Sequence, residues 1–102
     1  MPNNVPGDEQ VEAVQAYLDR ELPEPMYDPF WDNLTKSRVF RFLNPPHHEI
    51  HVTGEFFRDC PDYGAELRRL NLAESIQEAG DHPCWFIVAW KRQATLKVHE
   101  LV

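Results

Sequence analysis

Three histidines and a glutamate fall within five residues in "HHEIH", residues 47–51, just after the "NPP" of residues 44–46. Neutral imidazole is a good ligand for zinc and similar transition metals, and a carboxylate beside it is a normal supporting partner. Two further histidines, His82 and His99, and two cysteines, Cys60 and Cys84, extend the set of groups that can ligate. The metal reading takes His47, His51, His82 and His99 as the ligand set, with zinc or a similar transition metal as the ion. The spacing does not form the helical H-E-x-x-H signature. The outer pair His47 and His51 has the right separation, but the glutamate is shifted by one place and the segment reads as a strand. Clustered histidines can also act as a pH switch, since they titrate near pH 6.5 and repel once charged. The simplest and favoured reading is a solvated sheet face and loop.

Nucleophilic chemistry has less support. Ser37 and Ser75 have no nucleophile motif around them. Cys60 follows Asp59 and precedes a helix start, a position that can lower a thiol pKa. One thiol and scattered histidines do not make a Cys–His pair, so a buried structural cysteine is the expectation and the chain leans away from being an enzyme.

These residues must be positioned by a small number of elements. Val11, Val14, Leu18 and Leu22 recur at helical spacing with Tyr17 beside them, predicting a helix over 8–22 after a flexible tail at 1–7. Asp8, Glu9 and Glu12 suit the positive end of its dipole. "PEPMYDPFWDN", residues 23–33, carries three prolines and reads as an ordered loop pinned by Met26, Tyr27, Phe30 and Trp31. "SRVFRFL" at 37–43 reads as a strand, and "HEIHVTGEFF" at 48–57 as a second. In the second, Ile50, Val52 and Phe56 share one face, while Glu49, His51, Thr53 and Glu55 share the other. Gly54 marks a bulge or a close approach. A helix follows over 63–79, with Asn71 as a bend point and Gly80 as its stop. "CWFIVAWK", 84–91, is apolar on both faces and predicts a central strand covered on both sides. "ATLKVHELV" alternates and forms a hairpin with it.

The fold class is therefore α+β: one small domain in the order α-β-β-α-β-β, with a four-stranded, mostly antiparallel sheet and the second helix packed on one face. Residues 8–36 form the acidic helix and the aromatic, proline-rich loop, and 37–102 the ββαββ core. The first helix, the aromatic loop or a second copy would cover the other sheet face. Short connections fix strand directions. They gather the histidines at one end and Arg38, Arg58, Lys91 and Arg92 at the other, with Arg68 and Arg69 near them. A helix of roughly 17 residues spans roughly 25 Å, which separates Cys60 from Cys84 beyond the reach of one metal or a disulfide unless it folds back at Asn71.

The chain has 102 residues and a formal charge of −7, enough for one domain. Residues 1–36 hold eight acids against two bases, so they carry −6 of that charge. An acidic chain is repelled by phosphate, making nucleic acid an unlikely partner. No stretch is long and apolar enough for a membrane span and no secretory signal opens the chain, so the expectation is a cytoplasmic protein with reduced thiols. Three Trp, six Phe and three Tyr are many for this size, and any that the core cannot hold would face a partner. Aromatic anchors dominate binding surfaces. The sequence thus favours a non-enzymatic protein-interaction or regulatory module that binds a protein partner or itself, with Tyr27, Phe30 and Trp31 at the partner surface. No cofactor is expected under this reading. The metal-binding reading is the alternative.

Overall fold

A computed structural model describes residues 6–23 and 25–101. Helix α1 (Asp8–Glu21) begins where the Gly7 N–H donates to the Gln10 side-chain oxygen at 2.8 Å. Its buried stripe is Val11, Val14, Tyr17 and Leu18, the predicted one. Each such side chain contributes about 1.5–3 kcal/mol on burial. Of the expected tail, residues 1–5 lie outside the described residues, and Pro6 is buried.

The sheet has five strands, not four: β1 (Tyr27–Asp32), β2 (Ser37–Phe42), β3 (Glu49–Thr53), β4 (Cys84–Trp90) and β5 (Ala94–Glu100), in that spatial order. The proline-rich segment read as a loop supplies β1. Pro29 sits within it because β1 is an edge strand, where a missing N–H is tolerated. Pairing is antiparallel except between β3 and β4, which run parallel. The strand directions read from the short connections are those observed.

The connection from β3 to β4 departs from the expected single helix. The strand read over 48–57 ends at Thr53, and Gly54–Asp59 forms helix α2. The Thr53 hydroxyl caps it by accepting from Phe56 N–H at 3.3 Å. Phe56 matched the alternation of the strand, yet it enters the core from a helix together with Phe57. Gly54 marks this switch and is buried, with its N–H on the Lys36 carbonyl at 2.9 Å. The expected helix over 63–79 is two helices, α3 (Tyr63–Arg69) and α4 (Leu72–Ala79). Asn71 breaks it with φ 57°, ψ 43°, the left-handed region that Asn tolerates better than most residues. Tyr17 from α1 fills the break. Its hydroxyl accepts from Ala73 N–H at 3.2 Å and lies 3.4 Å from the Leu67 carbonyl.

All four helices lie on one sheet face. The core joins Val14, Tyr17 and Leu18 of α1 and Phe56 of α2 to Leu67 of α3 and Leu72 and Ile76 of α4, over Phe40, Ile50, Val52, Phe86 and Val88 of the sheet. The strand β4 is interior, between β3 and the edge strand β5, and it is covered by helices on one side only. Cys84, Phe86 and Val88 are buried under the helices, while Trp85, Ile87 and Ala89 point to the other face and are half-buried. The helix α1 does not cross to that face.

Candidate functional site

The face away from the helices forms a grid. Strand register and the alternation of side chains set its rows. The first row runs Asp28, Arg41, Glu49, Trp85, His99 from β1 to β5. The second runs Phe30, Val39, His51, Ile87, Lys97. The third holds Asp32, Ser37 and Thr53, with Ala89 paired to Thr95. Asp28 and Asp32 mark the β1 margin and Lys97 and His99 the β5 margin, while the centre interleaves Arg41, Glu49, His51, Ser37 and Thr53 with Val39, Trp85, Ile87 and Ala89.

A continuous set of contacts ties four strands of this face together. The Arg41 guanidinium lies 4.9 Å from the Phe30 ring centre. Its Nε donates to Glu49 Oε2 at 3.1 Å, and the other carboxylate oxygen meets His51 Nε2 at 2.9 Å. The His51 ring in turn packs on Trp85 with centroids 4.9 Å apart. The side chains of His51 and Glu49 are only 10% and 16% exposed, against 51% for Arg41. The His51–Glu49 contact is therefore the better desolvated of the two, and screening by water weakens the Arg41 arm. Val39 is 1% exposed beneath this layer yet belongs to no part of the helix-side core.

The other histidines divide by role. His48 is buried, and its Nδ1 accepts from Cys84 N–H at 3.2 Å. That bond requires a lone pair on Nδ1, so the ring is neutral with its proton on Nε2. Burial pushes its pKa below the ordinary value. With its edge against Phe86 it joins the starts of β3 and β4, a structural duty. His47 is exposed at φ 64°, with Nδ1 3.2 Å from the Phe42 carbonyl. His82 and His99 are exposed, and His99 stands opposite Trp85 in the sheet. The proposed ligands His47, His51, His82 and His99 thus sit toward one end, but they are not gathered as a set. Among the described residues no three His, Cys, Asp or Glu side chains come together to hold a metal ion.

The expected partner trio is also divided. Phe30 lies on the open face. Tyr27 faces the helices, where its hydroxyl donates to Asp19 Oδ1 at 2.9 Å and its ring packs near Phe40 and Phe42. Trp31 follows the parity of Tyr27 and donates its Nε1–H to Asn33 Oδ1 at 3.0 Å. Trp85, Ile87, Val39 and Arg41 were missed as site residues. The unbroken apolar run of β4 concealed Trp85 and Ile87, because it read as a strand buried twice, while Val39 and Arg41 of β2 join them only through strand register.

Among the described residues no hydroxyl or thiol hydrogen-bonds to a histidine ring; the Ser37 hydroxyl donates to the Thr35 carbonyl at 3.2 Å. Cys60 and Cys84 are buried free thiols. Burial pushes both thiols up, the opposite of the lowering that a helix start suggested for Cys60. Two of the six cations of the basic end are paired locally, Arg58 with Asp59 and Arg69 with Glu66, both at 3.0 Å. Of the acidic helix, Asp8 and Glu12 line a groove with Arg38. No described helix is long and apolar enough to cross a membrane. The chain matches no protein-family model, no curated protein and no solved structure.

Proposed function

We propose that this chain is a non-enzymatic protein-interaction or regulatory module whose contact surface is the open sheet face. The observation that supports it is the Phe30–Arg41–Glu49–His51–Trp85 chain of contacts, a preset and partly desolvated ionic and aromatic layer on a face that no described helix covers. Arg and large aromatics are the residue types that dominate interface energetics. Phe30 is retained from the sequence-based partner surface. Trp85, Ile87 and Arg41 replace Tyr27 and Trp31 as its working residues. A protein or a second copy is favoured over nucleic acid, because Asp28, Asp32 and Glu49 lie on the face and the chain carries −7.

Affinity capture with the wild-type chain, an Ile87→Asp chain and a Glu12→Lys chain tests the reading. Ile87 is on the open face and Glu12 on the outer surface of α1. Loss of the captured partner with Ile87→Asp alone is expected. Equal loss with Glu12→Lys, or retention with Ile87→Asp in a folded chain, would sink the assignment to this face.

A further inference from the structure

We infer that the occupant of the open face is a second copy of this chain, docked sheet to sheet about a two-fold axis that runs along the strands. This rests on the reading of the open face as the contact surface and adds the partner and its geometry.

The argument comes from the symmetry of the grid. A two-fold axis along the strands, passing near β3, keeps each row in register with itself and lays β1 of one copy over β5 of the other. In the first row Asp28 then faces the other copy's His99, and Arg41 faces the other copy's Trp85. In the second row Phe30 faces Lys97 of the other copy, and Ile87 lies over the layer that buries Val39. Asp28 meets His99, and cations meet rings. Such cation–aromatic contacts are favourable, more so when water is excluded.

The competing aligned two-fold runs across the strands and lays each strand over its own copy. It exchanges the first and third rows, so Asp28 faces Asp32. It also sets Lys97 against Lys97. Like charges in direct opposition cost affinity. The charge pattern therefore selects the axis along the strands. Glu49 comes near its own copy at that axis, but Arg41 and His51 already hold both of its oxygens.

The size is adequate. Five strands at about 4.8 Å and three rows at about 6.7 Å give a face of about 24 by 20 Å. Two such faces bury on the order of 1,000 Å² before side-chain relief is counted, the lower bound for a specific interface. Aligned sheets pack at about 30° to each other, which keeps the facing pairs closest near the axis. A modest interface of this kind predicts a dimer that dissociates on dilution.

Sedimentation velocity of the full chain over a concentration series tests this, with circular dichroism confirming that each variant is folded. The wild type is expected to pass from monomer to dimer. Ile87→Asp should weaken dimerisation by roughly 30-fold or more, the scale of a central hot spot. His99→Glu should also weaken it, by placing acid against Asp28. Adding Asp28→Lys to His99→Glu should restore it, and chains carrying each change alone should pair with one another in preference to themselves. A wild type that stays monomeric throughout, a dimer insensitive to Ile87→Asp, or a double variant that fails to recover would each overturn the inference. A monomer that still loses a captured partner on Ile87→Asp leaves the open-face reading standing and rejects only the second copy. A monomer whose captured partner is unaffected rejects both.

Discussion

The Tyr17 hydroxyl accepts a hydrogen bond from the Ala73 backbone N–H at 3.2 Å, closing the gap between α3 and α4. Without it, the first turn of α4 has a buried donor and no partner, since Asn71 makes no side-chain cap. Tyr17→Phe should therefore destabilise the chain by about 1–2 kcal/mol, the desolvation cost of one orphaned group. Urea unfolding followed by circular dichroism measures it. A midpoint equal to wild type would mean another group satisfies Ala73.

Asn71 is exposed, so its value lies in its backbone angles and not in contacts. Asn71→Gly is expected to leave stability close to wild type. Asn71→Val should cost about 1–2 kcal/mol, because a β-branched residue resists the left-handed region. Equal thermal midpoints for the two variants would show that the break relaxes into a continuous helix.

The buried His48 gives stability an acid limb. Its unfolded pKa is near the ordinary 6.5, and burial holds the folded value lower. Above pH 6.5 the ring is neutral in both states and the full contribution is present. As pH falls from 6.5 toward the lower folded value, the unfolded chain takes the proton first and stability is lost. Protonation of Nδ1 also removes the acceptor for Cys84 N–H. His48→Asn, which keeps an acceptor but does not titrate, should flatten the fall in unfolding free energy just below pH 6.5. An unchanged slope would place the titrating group elsewhere.

On the open face the two arms at Glu49 should differ in strength. Arg41→Ala is expected to cost less than about 1 kcal/mol, since its side chain is 51% exposed. Glu49→Ala should cost about 1–3 kcal/mol, because it leaves a largely desolvated His51 without its partner. Added salt should weaken the Arg41 effect and barely touch the other. The reverse order in chemical denaturation would contradict the burial argument.

Metal content provides a separate check. Elemental mass spectrometry of untagged, dialysed protein should find no stoichiometric transition metal, and a chelator should leave the thermal midpoint unchanged. One ion per chain, lost in His51→Ala and His99→Ala, would revive the histidine reading.

Much of the fold was legible because local pattern and tertiary fate agree there. The stripe of α1, the strands at 37–42 and 84–90, their directions and the stop at Gly80 all follow from spacing and short connections. Three features were concealed by residues that serve two readings. Pro29 argues against a strand unless the strand is known to be an edge. Phe56 keeps the strand's parity while belonging to a helix. The run from Cys84 to Trp90 is as apolar as a doubly covered strand, although one of its faces carries no helix. The site was half legible: "HHEIH" pointed to Glu49 and His51, but their neighbours Arg41 and Trp85 come from other strands, and only register brings them together.

Pro29 has a consequence for how copies of this chain can accumulate. A sheet lengthens into a fibre only if both of its outer strands can recruit another backbone. The margin at β1 includes a residue with no N–H to offer, and a proline is tolerated in such a strand where its nitrogen points outward. Two chains that met through their β5 margins would expose only proline-bearing margins to the next arrival. Pro29 therefore blunts lateral recruitment at the β1 margin, whatever the open face contacts.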